Sequence, residues 1–303
     1  MKEYSITHTT VYQYEKDVTL CHNEAHLSPR PLPHQQCLST TLNIIPTPEV
    51  YEEREDIFGN RVAYFALQRP HHKLEVTAQS VLLIENRELP QLQDSLPWEK
   101  ATTLMQEQPS EEMLDVRYFT FPSPKIQTFS ALKDYTLASF SSNRPLLEAV
   151  MDLTSRIYHD FTFDPKATNV TTAIETVFEK KRGVCQDFAH LAIGGLRSIG
   201  LAARYVSGYL ETLPPPGKPK LVGSDVSHAW ISVYCPYYGW IDFDPTNNVI
   251  PQNQHMVVAW GRDYSDITPL KGILFGGGKK HTLKVSVDVR NREDISTPQS
   301  VPV

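Results

Sequence analysis

The sequence predicts an α+β protein, with an N-terminal β-sandwich followed by a core in which a central helix packs on an antiparallel sheet. Three observations lead there. Apolar residues alternate with a period of two through residues 1–90. Spacings of three and four take over between residues 98 and 199. Short strand patterns then return, ending with 281–289.

In the first part, Tyr4, Ile6, Tyr12 and Tyr14 fall on one parity, as in a half-buried strand. Further strands are expected over 21–27, 38–45 and 50–57. Phe58-Gly59-Asn60 is a turn signal, after which 61–67 resumes the alternation. Leu74, Val76, Ala78, Leu82 and Ile84 continue it. Strands at this spacing with proline-rich connections suggest a sandwich. His71-His72 reads as an exposed loop pair.

Residues 86–97 are polar and hold Pro90 and Pro97, so a linker is expected. Helices are expected over 98–106 and 129–140. Pro145 suits a first helical turn, and Leu146, Val150, Leu153, Ile157 and Phe161 form a buried stripe behind it. Thr172 and Glu175 have capping-box spacing at the start of a short helix, which Lys180-Lys181-Arg182 would end in solvent. A helix then runs from Cys185 to Ile199, with Gly200 as its left-handed stop. Gly194-Gly195 inside it would cost about 1 kcal/mol each relative to Ala. Close backbone packing would justify that cost, so this is the expected central helix. Strands are expected over 202–210, 228–235 and 240–244, with a turn at 236–239 making a hairpin of the last two and the proline-rich 213–219 separating the first two. The expected division is 1–90 for the β-rich N-terminal domain, 91–160 for the linker and helical part of the core, 161–290 for the catalytic core with the C-terminal strands, and 291–303 for a flexible tail.

Composition narrows the function classes. The 29 Lys and Arg against 35 Asp and Glu leave a net charge of −6, and no basic stripe appears, so no nucleic-acid partner is expected. No apolar run approaches the length of a membrane span, so no membrane partner is expected. The N-terminus lacks an apolar signal-peptide region, and a cytoplasmic location is the expectation. Cys21, Cys37, Cys185 and Cys235 form no CxxC pair, so neither a zinc knuckle nor another metal site is expected, and in a reducing cytosol they are thiols.

Cys185 differs from the other three because a turn feeds it into a helix. Free N–H groups and the positive end of the helix dipole favour a thiolate there, and the thiolate is the nucleophilic form. His228 opens its strand on the face of Trp230, Ser232 and Tyr234. Asp242 and Asp244 share one face of the next strand. The hairpin register puts Asp244 within a few residues of opposite His228, across about 4.8 Å. Asp244 is the better orienting carboxylate and Asp242 the fallback. Cys185, His228 and Asp244 in this order supply a nucleophile, an acid–base group and an acid that fixes the imidazole tautomer. The Cys185 N–H is a candidate oxyanion donor. Asp187 could compete for His228, but it reads better as a helix-capping or packing residue, and His190 reads as structural.

Several stretches resemble the bacterial transglutaminase-like family: Arg182-Gly183-Val184-Cys185-Gln186-Asp187-Phe188-Ala189-His190, Ala203-Arg204-Tyr205-Val206-Ser207-Gly208-Tyr209, Ser227-His228-Ala229-Trp230 and Trp240-Ile241-Asp242-Phe243-Asp244-Pro245-Thr246. Upstream, Arg30-Pro31 and Asp56-Ile57-Phe58-Gly59-Asn60 resemble the β-rich N-terminal domain that often precedes this core. The resemblance implies a transglutaminase-like core, a rearranged relative of the papain fold. It makes Cys185 the nucleophile, His228 the base and Asp244 the third member. Trp230 and Trp240 are candidates for lining the acyl groove as well as for the core.

The expected function is that of a cysteine enzyme attacking an amide of a peptide or protein through an S-acyl intermediate, with hydrolysis ahead of transfer to an amine. No cofactor is expected, and no calcium loop of the D-x-D-x-D-G type is present. The alternative of another class is a binding or scaffolding module with an inactive core. Substrate identity and oligomeric state are not encoded in any motif.

Overall fold

The computed structural model describes residues 1–108, 110–212 and 227–292. The proline-rich 213–219 stretch and all but the first two residues of the tail therefore lie outside the described residues.

The first strand, β1 (Lys2–Ala25), organises the N-terminal half. Four strand candidates of the sequence reading in this half become parts or neighbours of it. Its first section pairs with β5 (His71–Ile84), and β2 (Gln35–Ile45) adds to β5. A register break between Gln13 and Val18 follows. Its second section pairs with β4 (Arg61–Leu67), which carries β3 (Val50–Glu55). Such a break bends a strand. The two halves of the sheet close on one core holding Tyr14, Leu74 and Val76 from one side and Val18, Phe65 and Leu67 from the other. This is the expected sandwich. His71 is not in an exposed loop: it is buried at the start of β5, its Nδ1 against the Arg69 carbonyl at 2.9 Å, and only His72 is exposed.

The linker leads into α1 (Trp98–Glu107), α2 (Glu111–Tyr118), α3 (Ser130–Leu137) and α4 (Leu146–Asp160). α2 escaped the sequence reading because only Met113 and Val116 of its eight residues are buried. Ser110 caps it, accepting the Met113 N–H at 3.2 Å. The capping box at Thr172 is absent. α5 (Ile174–Lys180) starts after Ala173, and the Thr172 hydroxyl instead accepts the Asn169 N–H at 3.0 Å.

The central helix is α6 (Cys185–Ser198). A methyl group on Gly195 would come within 2.2 Å of Thr136 Oγ1 on α3, which is why glycine is needed there despite its helix cost. α6 packs on a four-stranded antiparallel sheet made of β8 (Ala203–Leu210), β9 (Ser227–Cys235), β10 (Gly239–Phe243) and β11 (His255–Gly261), in the order β10-β9-β8-β11. Ala203, Tyr205, Ala229, Ile231 and Val233 meet the helices in the main core. β11 was not expected from the sequence.

The last strands depart from the expected division. β12 (Leu270–Gly276) and β13 (His281–Asn291) leave the 161–290 unit and pair with β1, Leu20 facing Phe275 and Ile6 facing Val289. The chain thus returns to complete its own first sheet. The two halves also share a core, since Tyr4, Ile6, Leu82 and Ile84 cluster with the helices.

Two side-chain amides fix how the sandwich sits on the sheet face away from α6. Gln35 accepts the Val257 N–H at 2.9 Å and donates to the Val257 carbonyl at 2.8 Å. Asn60 does the same for Trp260, at 3.0 and 2.8 Å. Each amide pairs with β11, an edge strand, as a neighbouring backbone would. Asn60 is itself held by Asp56 at 2.7 Å and Arg30 at 2.6 Å. The Arg30 and Asp56–Asn60 motifs thus dock one half of the protein on the other. Among the described residues no helix is long and apolar enough to cross a membrane.

Candidate active site

Cys185 is the first residue of α6 and is partly exposed. Two local features place it. Residues 182–183 pair in parallel with 162–163, which anchors the approach. Asp187 then reaches back to accept the Val184 N–H at 2.8 Å, tying down the turn before the cysteine. A side chain on Gly183 would run into Asp187, its Cβ 2.6 Å from Oδ2. Asp187 also takes the Thr168 hydroxyl at 2.6 Å. Its role is capping, as expected, and it does not position His228.

His228 lies at the start of β9, opposite Gly208 of β8. Its Nε2 is 2.7 Å from Asp244 Oδ2, and Cys185 is near enough to its ring to raise its pKa. With Nε2 engaged by the carboxylate, Nδ1 is the nitrogen left for the sulfur. The structure therefore brings Cys185, His228 and Asp244 into one neighbourhood, with His228 and Asp244 in direct hydrogen-bond contact. The expected register holds as well: Phe243 faces Ile231, so the next residue, Asp244, lies diagonal to His228, whereas Asp242 faces Ser232. Asp242 is engaged elsewhere, with Arg87 Nη1 at 3.3 Å.

Asp244 is fully buried, and its own turn orients it. The N–H groups of Thr246 and Asn247 donate to Oδ1 at 2.9 and 3.2 Å, an Asx-type turn that the Asp-Pro-Thr-Asn sequence is built to make. Oδ2 is thereby left facing His228. Burial pushes the carboxyl pKa up. Hydrogen bonds from His228, His255 and Asn247 and the His228 charge outweigh it and hold Asp244 well below the usual carboxylate range. Burial likewise pulls His228 down, and its hydrogen bond to Asp244 together with the nearby Asp244 and Cys185 overcomes this and raises it to about 10.

The sequence reading missed His255, at the start of β11. Its Nε2 sits 3.0 Å from the same Asp244 Oδ2, and the Asn247 side-chain amide donates to that oxygen at 2.7 Å. The donor atoms of His228, Asp244 and His255 lie within 4.8 Å of one another, a spacing a metal ion could use. The Asn247 amide converges on the same oxygen, and a metal there would have to displace that N–H donor, so the cluster reads as a hydrogen-bond network. The sequence signal for His255 was faint, since its strand, His-Met-Val-Val-Ala-Trp-Gly, is buried almost throughout and shows no alternation.

Trp230 is fully buried, stacked near His228 at 6.0 Å between ring centres, and belongs to the core. Trp240 is partly exposed and lines a cavity on the sheet face away from α6. His190 is buried, accepts the Tyr264 N–H at 3.2 Å and is structural. Burial holds it neutral, down to about 4.

A thiol at a helix start, an imidazole near it and a buried carboxylate behind the imidazole define the arrangement of a cysteine-dependent enzyme. Comparison with known proteins agrees. Residues 4–82 match the bacterial transglutaminase-like N-terminal region and residues 134–245 the transglutaminase-like superfamily. An uncharacterized protein of Mycobacterium tuberculosis is 39% identical over 298 residues, covering 94% of this chain and 92% of that one. One of Mycobacterium leprae is 33% identical over 90% of this chain and 93% of its own. A protein-glutamine gamma-glutamyltransferase of Pseudomonas aeruginosa is 28% identical over 48% of this chain but only 23% of its own length. A solved structure described as "a Putative Cysteine Protease from Cytophaga hutchinsonii" shares the fold, with a TM-score of 0.75 at 21% identity, over 99% of this chain and 93% of that one. The chain belongs to the transglutaminase-like superfamily, with the bacterial transglutaminase-like N-terminal region ahead of the core.

Proposed function

We propose that this protein hydrolyses an amide of a peptide or protein substrate, with Cys185 as nucleophile, His228 as acid and base, and Asp244 as the group that orients and charges His228. The observation that carries the reading is the placement of one imidazole between sulfur and carboxylate, Nε2 being 2.7 Å from Asp244. The thiolate attacks the carbonyl carbon. The Cys185 N–H at the helix start is the candidate donor to the developing oxyanion. The C–N bond breaks as His228 gives its proton to the leaving amine, and a thioester remains. His228 then takes a proton from water, whose oxygen attacks the thioester. The C–S bond breaks, releasing the acid and restoring the thiolate. Water is the default acceptor because Cys185 is partly exposed.

A second reading, transfer of the acyl group to an amine, is favoured by the similarity to the Pseudomonas aeruginosa glutamyltransferase. One experiment tests both. The protein is incubated with a peptide library and quenched in acid, and Cys185 is analysed by mass spectrometry, with and without a primary amine. An acyl adduct on Cys185, absent in Cys185→Ala, supports the enzyme. Free acid as the product in the presence of the amine supports hydrolysis, and an amine conjugate supports transfer. No adduct under any condition overturns both.

A further inference from the structure

On the sheet face away from α6, the side chain of Arg204 stands between two indoles. Its guanidinium carbon is 3.6 Å from the centre of Trp260 and 4.3 Å from that of Trp240. Arg30 lies over Trp260 at the same 3.6 Å, which requires the opposite ring face. Arg204 is only 8% exposed. Its Nε has no hydrogen-bond partner among the described residues. No described side chain or carbonyl bonds its Nη atoms either, in contrast to Arg197, which is equally buried and bonds three carbonyls. The carboxylate that acts on its charge, Asp242, is paired with Arg87.

A buried guanidinium carries five N–H donors that need acceptors. Those of Arg204 face two cavities, of about 460 Å³ and about 320 Å³, and Arg204 lines both. The larger one also carries Glu112 and Asp115, which repel an anion. The smaller one has one carboxylate in its lining, Asp242, set against two cations, Arg204 and Arg87; the bonds of Arg87 to Asp242 and to the Trp240 carbonyl are long, at 3.3 and 3.4 Å. Both flat faces of Arg204 are covered by indoles, so a ligand can meet only its edge. The group that matches that edge, two coplanar acceptors entering a slot between two rings, is a carboxylate.

We propose that the cavity between the sandwich and β8–β11 is a carboxylate-binding site, in which the edge of Arg204, flanked by Trp240 and Trp260 and assisted by Arg87, takes a small flat carboxylate. Burial lowers the Arg204 pKa to about 9; Asp242 offsets only part of this, and the neighbouring Arg30 and Arg87 add to it. A carboxylate would supply that counter-ion. The site is separate from the candidate active site. Arg204 faces Ser232 and Gly208 faces His228, so the two lie four residues apart along β8, about 13 Å. The inference therefore does not depend on the reaction proposed above.

The test follows tryptophan fluorescence of the full chain during titration with benzoate, its neutral isostere benzamide, and inorganic phosphate. N-acetyl-Ala-Ala-Phe as free acid and as amide tells whether a peptide C-terminus or only a small carboxylate is taken. Saturable binding of benzoate at least tenfold tighter than that of benzamide or phosphate is expected. Arg204→Lys, which keeps charge but loses the fork, should weaken it at least tenfold while Cys185 alkylation stays unchanged. Equal binding of benzoate and benzamide, equal binding of phosphate, or an undiminished affinity in folded Arg204→Lys would overturn the site. Should that variant not fold, crystals of the native chain soaked in 4-bromobenzoate decide. An anomalous bromine peak beside Trp240 and Trp260 supports the site, and its absence from this cavity refutes it.

Discussion

His255 and His228 share one oxygen atom of Asp244, at 3.0 and 2.7 Å. Both histidines must donate from Nε2, so the tautomer of each is set by the same carboxylate. The Nδ1 of His255 is buried without a hydrogen-bond partner among the described residues, so the ring's link to the site runs through Nε2 alone.

His255 therefore tempers Asp244 without touching the sulfur. His255→Ala removes a hydrogen bond to a charged group, worth about 1.5–3 kcal/mol. We expect kcat to fall on the order of 10- to 100-fold with KM little changed. With one donor fewer, Asp244 holds the His228 proton more strongly, so the alkaline limb of the kcat profile moves to higher pH. A limb that stays in place would mean that His255 only fills space.

Loss of His228 should be read at the sulfur. At pH 6 an ordinary cysteine, with a pKa of about 8.5, is nearly all thiol. Iodoacetamide is expected to label Cys185 first among the four cysteines at that pH, and His228→Ala to slow it to the rate of the others. Uniform slow labelling of all four in the native protein would favour the binding or scaffolding alternative.

Stability should peak in a defined pH window. Asp244 is depressed in the folded state, so its contribution is present above about pH 4, its unfolded value, and fades as acid protonates it. His228 is raised to about 10, so its contribution is complete below about pH 6.5 and fades as pH climbs toward 10. Thermal unfolding across pH should show a maximum between about pH 4 and 6.5. Asp244→Ala should cost about 3–5 kcal/mol near pH 6, the penalty of stranding a buried charge, and should flatten the alkaline decline.

The dock between the halves is testable apart from chemistry. Gln35→Ala strips partners from both backbone groups of Val257, each buried group left unsatisfied costing about 1–3 kcal/mol. Denaturant midpoints should fall accordingly. Gln35→Glu keeps an acceptor but loses the donor, so it should fall between the native protein and Gln35→Ala.

The parts of the fold and site that could be read in advance are those where one local rule governs. The His228–Asp244 register follows from hairpin arithmetic, and the turn chemistry of Asp244-Pro245-Thr246 follows from three adjacent residues. Gly194-Gly195 pointed to close packing because its helix cost had no other explanation, and Thr136 proved to be the neighbour. His255 was hidden because it joins Asp244 from a strand with no alternation. Arg204 was visible in the resemblance but not in its role, since its indole neighbours Trp240 and Trp260 come from two other strands. β12 was not expected from the sequence and β13 looks like an ordinary late strand, and nothing local says that their partner is β1. The false capping box at Thr172 shows the opposite error, a correct spacing overridden when Asn169 claims the hydroxyl.

The pairing of β13 with β1, from Tyr4–Asn291 to Tyr14–His281, has a consequence for biosynthesis. The edge of β1 that β13 covers must stay bare until residues 281–291, more than 250 positions further along, have been translated. A chaperone that holds that edge would speed productive maturation, and a chain cut short between β1 and residue 281 would leave an open template for aggregation.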